Sequence, residues 1–361
     1  ADVPANRPNI VFIILEAYTR ADVLQEAFGL DNTPFINALE ERGFFVAHDT
    51  YANYNMTRYS SPSILNMQLI DGQAIGLEGD ASPESLLREN LVIKQLRDWG
   101  YHTVVFQSDL AEALRGKVDS FFEPDRILHE FHAKLIDITP IRFLQNRLNT
   151  RKQKEHGQRA IAYDIHRDGV RQKFQELETM EFGDTPHFVF AHILSPHWPF
   201  VFDANGDAVY PTVRYRLDAH FISWESPTPD EFTTGYAKQI HAVNTMTLSA
   251  LDGLLEKTPN TIIILQGDHG TRRSMFADTP FPLEQRAREE HAILNAFRFP
   301  DSRAPVALSS DITPVNTFRL IFDEYFGTSL GFVQPTFFMT DPSEEEVDHD
   351  ITPIIERIRR Q

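Results

Sequence analysis

The chain predicts an α/β protein with a doubly wound, mostly parallel central sheet and helices on both faces. Three observations carry that expectation. Short, continuous runs of β-branched and aromatic residues ("NIVFIIL", "HFVFAHI" and "TIIIL") have the length and composition of strands buried on both faces. Amphipathic stretches of helical period lie between them, the alternation expected of a parallel sheet. The 361 residues are 42% hydrophobic and include 28 phenylalanines, which is enough for the core such a sheet needs.

Residues 1 to 8, "ADVPANRP", read as a linker. The chain starts at Ala1 without methionine, so a signal peptide or membrane anchor ahead of it is an expectation. "NIVFIILE" is the first strand. "NTPFINALEERG" follows as a short amphipathic helix with a glycine stop. "FFVAHDTY" reads as a second strand and leads into the hydroxyl-rich "NYNMTRYSSPSILN", residues 53 to 66. "SPESLLRENLVIKQLRDWG" then "YHTVVFQSD" is a helix followed by a strand. Residues 110 to 160 are charged and less regular, and read as helical excursions at one edge of the sheet. "HFVFAHILS" is another buried strand. The long helix "DEFTTGYAKQIHAVNTMTLSALDGLLEKTPN" runs directly into the strand "TIIILQGD". "PSEEEVDH", residues 342 to 349, reads as an exposed acidic loop before a last short helix. There is no internal repeat.

Composition narrows the function. Lys plus Arg number 34 against 52 for Asp plus Glu, a net charge of −18. That balance argues against nucleic acid as a partner and against electrostatic adhesion to an anionic membrane. With no cysteine there is no disulfide framework, thiolate nucleophile or cysteine metal site. No run approaches the about eighteen apolar residues that span a bilayer.

Three of the expected strands end in polar residues able to do chemistry. "NIVFIIL" ends at Glu16, "TIIILQG" at Asp268 and His269, and "HFVFAHILSP" at His197. Ligands of open α/β sheets bind at the carboxyl ends of parallel strands, so these residues converge on one rim if the strands are parallel. Two carboxylates and an imidazole arriving together suit a divalent metal. Each residue also has an ordinary reading: Glu16 as a surface acid, Asp268 as a turn former, His197 as a loop histidine packed on Trp198. Met56 and Tyr59 read as packing residues.

"NIVFIILE", "NMTRYSSPSILN", "SPHWPF" and "GDHG" stand in an order and spacing that resembles the alkaline phosphatase and sulfatase superfamily. Within it the chain is most similar to lipoteichoic acid synthase-like and phosphoethanolamine transferase-like proteins. In the latter a nucleophilic threonine opens a T-x-x-S-x-P pattern, matched here by Thr57-Arg58-Tyr59-Ser60-Ser61-Pro62. The resemblance implies a catalytic domain over residues 9 to 340, with an acidic loop and C-terminal helix over 341 to 361. It implies one divalent ion, Zn²⁺ or Mn²⁺, held by Glu16, Thr57, Asp268 and His269. It puts His197 in a catalytic, substrate-contacting position and His291, in "REEHAILNAF", in a further substrate-binding one. Arg58, Arg272 and Arg273 are candidate contacts for an anionic substrate, with surface arginine the ordinary reading of each. The implied activity is transfer or cleavage of a phosphoryl group on an envelope lipid head group or glycan. The implied location is the periplasmic or extracytoplasmic face of a bacterial cytoplasmic membrane, reached through an N-terminal segment absent from this chain.

Elementary chemistry agrees with a threonine nucleophile. Its hydroxyl is weak at neutral pH and needs activation, which bonding to a divalent cation supplies. Pro62 fits the first turn of a helix, which puts Thr57 at or just before a helix N-terminus, where N–H groups favour an anionic oxygen. The alternative is that Thr57 is a simple helix cap. Departures also stand out. Sulfatases convert Cys or Ser of a C/S-x-P-x-R pattern to formylglycine, and "SSPSI" has Ile64 where arginine is required. Glu16 is followed by Ala17, not by a second acid. "TRRSMF" follows "DHG" where phosphoethanolamine transferases have a different sequence. A sulfatase or two-metal phosphodiesterase is therefore the second reading, with Asp22, His192 and His291 as spare ligands. An inactive binding domain of the same fold is the third.

Overall fold

The structure is a computed structural model and describes residues 7–70, 82–125, 159–211, 227–300, 304–340 and 349–360. Its centre is β1 (Asn9–Leu15), which pairs in parallel with β5 (His187–Ile193) on one side and β6 (Thr261–Gln266) on the other. β3 (His102–Phe106) lies parallel to β5, and β4 (Ser120–Phe122) parallel to β3. Beyond β6, β7 (Asn295–Arg298) runs antiparallel, and β2 (Phe44–Val46) pairs antiparallel with it at the far edge. The seven-stranded order is β2-β7-β6-β1-β5-β3-β4. The mostly parallel, doubly wound sheet is as expected.

Alternation along the strands divides the core in two. Val11, Ile13 and Leu15 of β1 join Val189 and Ile193 of β5 and Ile263 and Leu265 of β6 on one face. Helices α1 (Ala21–Phe28), α2 (Thr33–Glu41), α6 (Arg159–Thr179) and α7 (Pro229–Lys257) cover that face. Ile10, Phe12, Ile14, Phe188, Phe190, Ile262 and Ile264 form the other face. It is packed by α3 (Thr57–Asn66), α4 (Pro83–Arg88), α5 (Leu91–Asp98) and α9 (Thr317–Phe326). Each buried β1 side chain stabilises the fold by about 1.5–3 kcal/mol. Truncating Phe12, which packs on Phe190 and Phe318, costs about 3–5 kcal/mol. α8 (Leu283–His291), the pair β8 (Phe338–Met339) and β9 (His349–Asp350), and α10 (Thr352–Arg359) make a smaller layer around Tyr51 and Phe337.

Several local expectations change. The strand expected over 44 to 51 stops at Val46, and the chain turns away towards Tyr51. The helix expected over 82 to 100 is two helices, because the Asn90 side chain accepts from Ile93 N and starts a new N-terminus. The region read as helical excursions contains edge strand β4 and, among its described residues, a single 3₁₀ turn at Ala111–Leu114 before α6 begins. Residues 126–158 lie outside the described residues, as does nearly all of the acidic loop at 342 to 349 and most of the linker at 1 to 8. The last short helix is present as α10. Among the described residues no helix is long and apolar enough to cross a membrane.

Candidate active site

Three strand exits build the site. Glu16 follows β1, and Ala17 after it takes a left-handed φ of 61°, rare for a residue with a Cβ. That turn aims the Ala17 N–H at Asp268 Oδ1, 3.0 Å away. Asp268 leaves β6 through Gly267, where a Cβ would sit 2.4 Å from the Tyr18 carbonyl oxygen, so glycine alone permits the approach. The loop after β5 is tied to β1 by the His197 N–H, which donates to the Glu16 carbonyl at 3.0 Å. Gln239 of α7 holds that loop from behind, donating to the carbonyls of Pro196 and His197 and accepting from Val201 N.

Thr57 is the first residue of α3, after Met56 in extended conformation. Its hydroxyl donates to Glu16 Oε1 at 3.3 Å and lies beside the Asp268 carboxylate. One turn later Ser60 donates to the Asp268 carbonyl at 2.8 Å, which locks the helix to the exit of β6. The expected helix start is therefore found, but Pro62 is not in its first turn. It sits inside α3, where Asn66 Nδ2 donates to its carbonyl at 2.8 Å.

Histidines surround this group. His269 Nε2 is 3.7 Å from Asp268 Oδ2, and its Nδ1 bonds to the Gly270 carbonyl at 2.7 Å. His192, on β5, points Nε2 at Glu16 Oε2 across 3.6 Å, while its Nδ1 meets Ser108 Oγ at 3.0 Å. The His197 ring lies edge-on to His269 with centroids 6.5 Å apart, and its Nδ1 bonds to the Trp198 carbonyl. His291 is fully buried, bonds through Nδ1 to the Ala52 carbonyl at 2.8 Å, and is electrostatically coupled to His269.

Burial sets the electrostatics. Desolvation, then repulsion from Asp268, raises the Glu16 carboxyl well above its ordinary range. Burial opposes ionisation of Asp268 too, but the adjacent His269 and His192 hold it below the usual carboxylate value. Burial pulls His192, His197 and His291 down to about 4 each. At neutral pH these rings are uncharged, each with one lone-pair nitrogen.

A metal fits these residues. Glu16, His192 and Asp268 each offer a ligand atom, all within 4.8 Å of one another. Among the described residues Asp268 Oδ2 and His192 Nε2 are buried without a hydrogen-bond partner, which is costly unless a cation or water satisfies them. His269 Nε2 and the Thr57 hydroxyl face the same acid. Two carboxylates, two imidazoles and a hydroxyl are a donor set suited to zinc.

The other expected residues divide. Arg58 stacks over the Tyr59 ring at 4.8 Å, and Arg272 borders the small space beside His197 and His269. Arg273 is corrected: it forms an ion pair with Glu289, with nitrogen–oxygen distances of 2.6 and 3.0 Å, in a separate charged cleft. Asp22, the spare second-metal ligand, is corrected too. It accepts from Arg20 at 2.7 and 2.8 Å and from Arg288 at 3.0 Å in that same cleft. His192, expected as another spare, belongs with Glu16 and Asp268 instead. Ser108 and the buried Lys173 of α6 stand beside the site without having been picked out. Ser108 lies two residues past the end of β3, so the strand-end rule applied to a fourth strand reaches it.

A model of the sulfatase family matches residues 8–293. The chain belongs to the sulfatase family. It is thus a sulfatase-like enzyme of the alkaline phosphatase superfamily. Solved structures agree on the fold. The C-terminal periplasmic domain of EcEptC from Escherichia coli, in complex with Zn, is 14% identical, with 97% of this chain and 94% of that one covered and a TM-score of 0.59. A protein of the alkaline phosphatase superfamily from Vibrio parahaemolyticus is 13% identical, covers 94% and 74%, and has a TM-score of 0.51. The lipoteichoic acid synthase LtaP from Listeria monocytogenes is 11% identical, covers 91% and 74%, and has a TM-score of 0.50. No curated protein matches the sequence. Within the sulfatase family this chain departs at the maturation pattern: Ser60 is buried and bonded to backbone, and Ile64 packs into the core.

Proposed function

We propose that this sulfatase-family chain is a zinc-dependent phosphoryl-group enzyme with Thr57 as nucleophile, acting on a phosphodiester of an envelope lipid head group or glycan. The observation that carries the reading is the Thr57 hydroxyl, at the N-terminus of α3, donating to Glu16 beside Asp268. In this reading Glu16, Thr57, Asp268 and His269 hold the ion, and His192 is poised as a further donor. Zinc there lowers the hydroxyl pKa and neutralises charge that develops on the phosphoryl oxygens. Zinc is preferred to manganese because the solved EcEptC domain is a Zn complex.

The residues divide the remaining work. Thr57 Oγ1 forms the bond to phosphorus while the bond to the donor's leaving oxygen breaks. The α3 N–H groups face the phosphoryl oxygens. His197, with Nδ1 engaged by Trp198 O, presents a bare Nε2 able to take the proton of the attacking acceptor in the second half-reaction. His291 and Arg58 contact substrate. The periplasmic placement of the EcEptC domain supports an extracytoplasmic location, with the chain held at the membrane by a preceding segment.

The test is turnover of bis(4-nitrophenyl) phosphate by zinc-loaded protein. Wild-type activity that survives in Thr57→Ala removes the nucleophile. A sulfatase reading gains if sulfate esters are cleaved and phosphodiesters are not.

A further inference from the structure

The exit of β5 holds a buried cation that the proposed chemistry leaves unassigned. β3 and β5 pair from His102 through Val105 against His187 through Phe190, and pairing then stops. Past that point Lys173 of α6 donates from Nζ to the His192 carbonyl at 3.3 Å. Two turns earlier on the same helix face, His166 is hydrogen-bonded to the main chain of Leu194, so α6 is registered along the loop that leads to His197.

Lys173 is only 5% exposed. An ammonium has three N–H donors, and here one long bond to a carbonyl uses one of them. Glu16 and Asp109 attract it electrostatically, but among the described residues no carboxylate forms an ion pair with it. A buried charge without a contacting counter-ion is strongly unfavourable. The residue whose carbonyl it holds, His192, points Nε2 at Glu16 across 3.6 Å, so Lys173 stands at the end of β5 behind the group of Glu16, His192 and Asp268. A tetrahedral oxyanion at that group supplies both the missing acceptor and the missing negative charge.

We propose that Lys173 is an anion-binding residue of the site, its ammonium contacting an oxygen of the phosphoryl group presented to Thr57. The inference rests on the phosphoryl reading above. The competing role is structural, with Lys173 doing no more than capping the carbonyl of His192 where β3 departs.

The experiment titrates inorganic phosphate into zinc-loaded wild type, Lys173→Met and Lys173→Arg by calorimetry, with zinc content measured on each. Lys173→Gln, which keeps an N–H but no charge, replaces the methionine variant if that one does not fold. The expected result is equal zinc content in all variants, phosphate binding weakened about tenfold or more in the neutral variant, and recovery to within a few fold in Lys173→Arg. Phosphate binding in the neutral variant equal to wild type overturns the inference while leaving the zinc reading standing. Loss of zinc together with phosphate in both variants assigns Lys173 to support of β5 and overturns it as well. Wild-type protein that takes up neither zinc nor phosphate removes the parent reading and this inference with it.

Discussion

Thr57 and Glu16 lie 41 residues apart in the chain, yet the hydroxyl of one donates to the carboxylate of the other at 3.3 Å. The contact joins the first residue of α3 to the residue that ends the central strand. Both side chains retain some access to solvent. In the proposed mechanism the pair is the nucleophile and a metal ligand. Thr57→Ala is therefore expected to lower phosphodiester turnover by about a thousandfold or more while the melting temperature shifts by no more than a few degrees. Parallel measurement of rate and thermal unfolding checks it, and a large fall in stability would assign Thr57 a structural role instead.

Zinc uptake is expected to depend on the acid and the imidazole at the exit of β6, Asp268 and His269. Asp268→Asn keeps the shape of the side chain and its acceptor for Ala17 N–H, but removes the charge that offsets a cation. Elemental analysis is expected to show sharply reduced zinc in Asp268→Asn and in His269→Ala, with circular dichroism unchanged. Full occupancy in both would falsify the assigned site.

Much of this was legible before any coordinates. Glu16, His197, Asp268 and His269 follow short, mostly apolar runs, and such runs in parallel have one rim at which to deliver their last polar residues. The sequence pattern does not show where Asp22 belongs, because its partners, Arg20 and Arg288, are brought together by α1 and α8, which no short motif encodes. His192 sits inside a buried strand, where its polar role shows only when the neighbouring strand places Glu16 beside it. Lys173 was invisible for a different reason. Helix α6 carries little apolar periodicity, so nothing in its pattern singles out one of its charges as buried.

The metal-free protein is expected to lose stability as pH falls from about 6.5 towards 4. His192, His197 and His291 have ordinary values of 6.5 when unfolded and about 4 in the fold, because burial disfavours their charged forms. Between those values the unfolded chain binds more protons, so unfolding stability rises with pH across the window and is lost as pH drops through it. Glu16, raised by burial, acts in the opposite sense, while His166, pulled down to about 3, and His187, lowered by burial, add to the slope of these three. Chemical denaturation at several pH values measures the slope, and His192→Asn is expected to flatten it. A stability that climbs on acidification contradicts the assignment of neutral rings.

Ser60 is expected to stay serine. Its hydroxyl donates to the carbonyls of Asp268 and Tyr54 within a buried helix turn, and Ile64 stands where the maturation pattern needs arginine. Peptide mapping after expression with the maturation machinery tests this directly. A formylglycine at Ser60 or Ser61 would move sulfate-ester cleavage ahead of phosphoryl chemistry.

The fate of a phosphorylated Thr57 separates transfer from hydrolysis. A transferase has to keep water from the intermediate until its acceptor arrives, whereas a hydrolase has to admit it. The walls near Thr57 and His197 are aromatic. Tyr54 and Tyr59 are buried beside each other, with ring centroids 6.0 Å apart, next to the nucleophile's helix. Trp198 and Phe200 border a groove of about 470 Å³ that continues past Phe202 and Tyr210. Trp198 also lines the small space beside His197 and His269, so the groove begins next to the site and leaves room for a bulky acceptor or lipid-borne donor. The expectation is slow hydrolysis of small phosphodiesters and a phosphothreonine at residue 57, seen by mass spectrometry after incubation with a phospholipid donor in mixed micelles. Adding an acceptor with a free hydroxyl is expected to discharge the modified protein faster than water does. Prompt release of product without acceptor, and no trapped Thr57 adduct, would make the enzyme a phosphodiesterase and retire the transferase reading.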